Sequence, residues 1–211
     1  MASIKYNINS HEGIIQNMTE EYSQPVELDE LLAAEFNYIA QTATQAFEDR
    51  ARISSFYLIA VGSLVAALFS TQLFEPDQFT RTIKFMFSGL FLLLTFLGTS
   101  TVMQLAQLRS AWYESMKAMN QIKDFAMKQS PELTAAFRWR TETLPPKYKM
   151  GSVSFYQTLE VAIIGGLMFG TAIFFFQQAF FKINVITWVI CLLCVVLATF
   201  AQMAIYKRFL K

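Results

Sequence analysis

A chain of 211 residues that is 54% hydrophobic, with a mean hydropathy of +0.35, is too apolar for an ordinary water-soluble domain. No nucleophile–base pair, carboxylate pair or metal-ligand spacing appears, so neither catalysis nor a cofactor is expected. The formal charge of +1 conceals a segregation: residues 1–53 carry nine acidic side chains against three basic ones, whereas 109–152 carries eight basic against four acidic.

Residues 1–24 are polar and mixed, read as an arm and not a folding unit, and hold the only histidine, His11. From Pro25, with Ser23 placed to cap, an amphipathic helix is predicted over 25–52. Leu28, Leu31, Leu32, Phe36, Ile39, Ala43 and Phe47 form its apolar stripe, with an acidic opposite face. Where it meets the first apolar window lies Glu48-Asp49-Arg50-Ala51-Arg52. This cluster reads either as a charge network at the membrane mouth or as an interfacial anchor with Glu48 paired to Arg52.

Four windows are long and nearly free of charge, enough to span a bilayer as helices: 53–74, 85–108, 161–181 and 183–206. The fold class is therefore an all-α membrane protein with four transmembrane helices and cytoplasmic helical extensions. In the first span (53–74), Gly62, Ala66 and Ser70 recur every four residues, a spacing that lets helices approach closely. The acidic turn Glu75-Pro76-Asp77 follows.

The second element, 82–129, runs from apolar to amphipathic without a proline or a break signal. Its apolar half aligns Ser88, Thr95 and Thr99 near one helical line, with Arg81 at the outer end. Such a line reads as the lining of a narrow water path, or as hydroxyls bonded back to their own helix. The polar half repeats Leu105, Leu108, Trp112, Met116, Met119, Ile122 and Ala126, which suits packing in a helical bundle.

Ser130-Pro131 begins a short helix and loop over 130–152. There Arg138, Trp139 and Arg140, with Lys147, Tyr148 and Lys149, have the chemistry to hold a phosphate and stack a base. They suit anionic lipid headgroups or the acidic N-terminal helix equally well. The third span, 153–181, opens on a capping box of Ser154 and Gln157 and carries Gly166 and Gly170 as a GxxxG packing signal. Its Phe174-Phe175-Phe176 run reads as lipid-facing bulk or as a constriction. The fourth, 183–206, aligns Thr187, Cys191, Cys194 and Ala198 as a small-residue seam, and 207–211 is a basic tail. Lys/Arg excess on the central loop and tail places both termini in the cytoplasm of a multi-pass inner-membrane protein.

A helix entering the first span through Glu48-Asp49-Arg50, a tight outer turn, and a second span continuing into a long cytoplasmic helix resemble the SLATT-type small membrane proteins of prokaryotes, over residues 28–129. The resemblance implies a pore-forming effector in antiviral defence controlled by a nucleotide or nucleic-acid signal. The third and fourth spans are additions to that minimal pattern. The resulting expectation is a homo-oligomeric channel lined by Ser88, Thr95 and Thr99 and gated through the cytoplasmic helices. The alternative is a non-conducting anchor in the lipid bilayer that docks a soluble cytoplasmic partner.

Overall fold

The computed structural model describes residues 27–70 (side chains to Leu68) and 80–211. The predicted arm at 1–24, the Ser23–Pro25 helix start and the Glu75-Pro76-Asp77 turn lie outside the described residues. Those described are all-helical, without a strand: α1 (Leu28–Ser70), α2 (Arg81–Gln129), α3 (Val153–Phe180) and α4 (Val185–Phe209). Two 3-10 turns, Pro131–Ala135 and Thr141–Thr143, lie between α2 and α3. All four α-helices are long and apolar enough to cross a membrane, a multi-pass arrangement.

The chain divides into two compact units, Met1–Tyr38 and Ile39–Lys211. Of the first, the described part is the opening of α1, where Leu28 and Leu31 are exposed. The second contains the core. Within it Ile39, Ala43, Ala46, Arg50, Ser54, Tyr57 and Val61 are buried along α1. Their steps of three and four residues average about 3.7, close to the period of a straight α-helix, and keep one face of α1 inward. The predicted stripe shares Ile39 and Ala43 with this face but leaves it at Phe47, which is 55% exposed. The amphipathic helix expected up to residue 52 and the first span are one continuous 43-residue helix.

α2 is a single helix of 49 residues, about 73 Å long at 1.5 Å per residue. Thr80 caps its start, accepting from the Ile83 amide. No proline interrupts it, and Thr95, Thr99, Thr101 and Ser115 each donate to the carbonyl one turn back. The predicted short helix after Ser130 is a 3-10 turn followed by extended chain. Pro131 starts it as expected, but the Ser130 hydroxyl caps nothing. Ser152 caps α3, in place of the predicted Ser154. Asn184 and Thr187 form a capping box for α4.

Lipid supplies no hydrophobic drive between helices, so close approach and interhelical hydrogen bonds must hold the bundle. Gly166 and Gly170 provide the approach as predicted. A Cβ on Gly166 would meet the Thr199 side chain and, at 2.8 Å, the Val195 carbonyl; one on Gly170 would strike the Val195 side chain. Gly62 and Ala66 do not pack within the chain: both are exposed, and Gly62 has open space where a Cβ would stand. Of the most apolar windows, those of α2 and α3 are 39% buried, against 17% for α1 and 11% for α4. α2 and α3 therefore make the centre, while α1 and α4 present most of their surface outward.

Candidate functional site at the basic end of the bundle

The apolar windows of all four helices end at the same level, beside the basic loop. Arg50 precedes the window of α1, Arg109 follows that of α2, Ser154 and Gln157 open α3, and Tyr206 closes that of α4. Arg50 and Arg109 are only 4% and 7% exposed. The Arg50 guanidinium donates to Gln157 Oε1 at 3.0 Å, and Gln157 Nε2 returns bonds to the Arg50 carbonyl and to Ser54 Oγ at 3.2 and 2.7 Å. Arg109 Nε donates to the Lys147 carbonyl at 3.2 Å, and its guanidinium stacks over Trp112 at 4.4 Å. Ser154 Oγ and Tyr206 Oη share a buried hydrogen bond of 2.9 Å. These bonds tie α1 to α3, α2 to the loop and α3 to α4.

Burial lowers the pKa of both arginines, opposed at each by Tyr206. Arginine stays protonated regardless, so two charges are held out of water at the same end of the bundle. Neither pairs with a carboxylate among the described residues. The pairing predicted between Glu48 and Arg52 is replaced by one between Asp49 and Arg52 at 3.4 Å, while Arg50 turns into the bundle. Arg50 Nε is buried with no partner.

The hydroxyl line of α2 also faces inward. Ser88 is 4% exposed, while Thr95 and Thr99 are half-buried and bonded back to their own helix. Gln202 of α4, itself 3% exposed, donates to Thr99 Oγ1 at 3.2 Å. With the buried Thr158, Ser154 and Tyr206, the residues Ser88, Thr95, Thr99 and Gln202 make up an internal polar thread, joined by side-chain bonds at Thr99–Gln202 and Ser154–Tyr206. Beside its middle, Tyr57 Oη and Gln202 Oε1 are buried without partners. A Cβ on Gly98 would stand 2.6 Å from that Tyr57 oxygen, and one on Gly165 would stand 2.7 Å from the Gln202 amide. Two glycines thus make room for two polar side chains.

The predicted phosphate cluster does not converge. Arg138 and Trp139 are exposed. Arg140 folds back onto the Phe137 and Thr134 carbonyls at 3.2 and 2.6 Å and so pins its own loop. Lys147 instead pairs with Glu114 at 2.5 Å and reaches Ser110 Oγ at 3.3 Å. That bond holds the Glu114 carboxyl below the usual carboxylate range. Lys149 is exposed and contributes its carbonyl to Ser152. The loop is anchored by Asn120 of α2, 1% exposed, whose Nδ2 donates to the Arg140 carbonyl at 3.0 Å.

At the opposite end, Arg81 stacks over Phe180 at 4.4 Å. Phe175 stacks on Phe91 at 5.7 Å, toward the core, while Phe176 is exposed. Cys191 and Cys194 are free thiols, and no side-chain group suited to a metal ion occurs among the described residues.

Sequence reasoning placed Arg50 in a charge cluster at the membrane mouth, counted Arg109 only within the basic loop, and passed over Tyr57 and Gln202. One signal was available: a glutamine or tyrosine inside a long apolar run has to find a bonding partner in the bundle. The chain matches no family model, no curated protein and no solved structure with which it was compared.

Proposed function

We propose that this protein is a homo-oligomeric inner-membrane effector of channel type, with its basic end in the cytoplasm, gated through the polar half of α2. The carrying observation is the continuity of α2 from Arg81 to Gln129. The same helix that bears Met119 and Asn120 bears Thr95 and Thr99, so a partner or nucleotide-type signal that displaces the polar half moves a wall of the internal polar thread. The thread, in place of an axial lining, is the route this reading assigns to ions or water. Gly62 and Ala66 leave a smooth strip on α1 against which a second copy fits. A role in antiviral defence follows from the resemblance alone.

The test is ion flux from the purified full-length protein in liposomes, beside membrane depolarisation on overexpression. The reading expects both, and expects Thr99→Val with Gln202→Leu to reduce them at least about tenfold while the protein stays folded. Flux and depolarisation absent from the wild type would remove it.

A second reading, a non-conducting anchor that docks a soluble partner, is favoured by one observation. Val102, Leu105, Ala106, Val161 and Ala162 are at most 1% exposed and close the bundle tightly toward its basic end. Under this reading Asn120→Asp, which disturbs the loop anchor, changes partner capture and leaves membrane potential untouched.

A further inference from the structure

Two buried guanidinium groups at one end of the bundle, neither paired with a carboxylate among the described residues, are its strongest electrostatic anomaly. A buried charge left without an opposite partner is costly, and guanidinium geometry matches a phosphate oxygen pair. The acids closest in the chain are otherwise committed or turned outward: Asp49 pairs with Arg52, Glu114 with Lys147, and Glu48 and Glu160 are exposed. One donor, Arg50 Nε, is buried and unused. Both arginines flank apolar windows at the level where lipid headgroups lie, and Trp112, Tyr113 and Tyr148 lie at the same end.

A groove of about 630 Å³ between α1 and α3 adjoins this level. Gln157, which holds Arg50, lies in its wall, and Phe47, Ala51, Val153, Tyr156 and Ile163 make its remaining surface largely apolar. An acyl chain fits such a surface and a free phosphate has no use for it. Glu160 also borders the groove and is the acidic group an incoming headgroup must pass.

We propose that Arg50 and Arg109 form a site for the phosphate of an anionic phospholipid of the leaflet at the basic end, with an acyl chain in the Phe47–Ile163 groove. The lipid supplies the missing counter-charge and bridges α1 to α2. The inference is independent of whether the protein conducts.

The experiment uses the full-length protein, delipidated in detergent and re-exposed to phosphatidylglycerol, phosphatidylcholine or inorganic phosphate. Bound lipid is counted by native mass spectrometry and thermal unfolding is followed in parallel. We expect at least about fivefold preferential retention of phosphatidylglycerol over phosphatidylcholine, with an unfolding temperature raised by about 5 °C. Arg50→Gln with Arg109→Gln should abolish both effects, whereas Arg81→Gln, at the opposite end, should leave both unchanged. If the double variant does not fold, Arg50→Lys serves: charge is kept and the fork lost, so retention should fall without disappearing. Equal retention of the two lipids by the wild type, or full preference in the Arg50 and Arg109 variants, overturns the site. Stabilisation by inorganic phosphate equal to that by phosphatidylglycerol overturns its assignment to lipid.

Discussion

The two ends of the four-helix bundle are held together by different forces. At the basic end Arg50, Gln157, Ser54, Ser154 and Tyr206 form directional bonds of 2.7 to 3.2 Å that fix α1 against α3 and α3 against α4, while Arg109 ties α2 to the loop. At the opposite end rings dominate. Phe85 meets Phe176 and Phe180 edge-on at 5.8 and 5.2 Å, and Arg81 lies over Phe180. Ring contacts are adaptable and lose little when one partner shifts. A hydrogen-bonded belt in a region of low dielectric has far fewer alternative arrangements. The lesson is positional: the directional bonds lie at the level where α2 passes from apolar to polar, with Arg109 tied there to the loop.

That contrast gives a graded series of substitutions, read as unfolding free energy in mixed micelles. Gln157→Leu should be the most damaging, by about 2–4 kcal/mol, because it removes the side-chain acceptor of the buried Arg50 charge and the bond that Ser54 accepts. Tyr206→Phe should cost about 1 kcal/mol, and a cycle with Ser154→Ala should yield a coupling of about 0.6 kcal/mol. Arg81→Gln should cost no more than about 0.5–1 kcal/mol, since its ring contacts are adaptable and the residue is exposed. A loss at Arg81 as large as that at Gln157 would erase the distinction between the ends.

The smallest effect belongs to the exposed Glu114–Lys147 pair. Its carboxyl is held below the ordinary range chiefly by the Lys147 hydrogen bond, so its contribution is full above the unfolded-state pKa and disappears as pH falls through the lowered folded value. The carboxyl carbon of Glu114, followed by NMR, should titrate below a reference glutamate. Lys147→Gln should return it to the ordinary value without detectable loss of fold.

How far the chain could be read in advance depended on whether a signal was local. Span lengths come from runs of apolar residues, and the absence of proline from 82–129 made α2 readable nearly to the residue. Partner choice is not local. Gly166–Gly170 and Gly62–Ala66 present the same small-residue spacing, yet only the former faces another helix of its own chain. The Ser88–Thr95–Thr99 line was legible as a line. Its inward direction depended on Gln202, more than a hundred residues away, reaching Thr99. The Arg138–Lys149 cluster misled because residues adjacent in an irregular loop point apart, whereas the two buried arginines of the basic end, Arg50 and Arg109, lie 59 positions apart in the chain.

The claim on which gating rests is that α2 crosses from bilayer to water unbroken. Amide hydrogen exchange on the full-length protein in nanodiscs, resolved across 105–122, tests it most directly. Continuous protection through Leu108–Tyr113, falling off only toward Gln129, is the predicted result. A stretch of rapidly exchanging amides at Arg109–Trp112 would mean that α2 unwinds at the membrane surface, and the mechanical link between its halves would not exist.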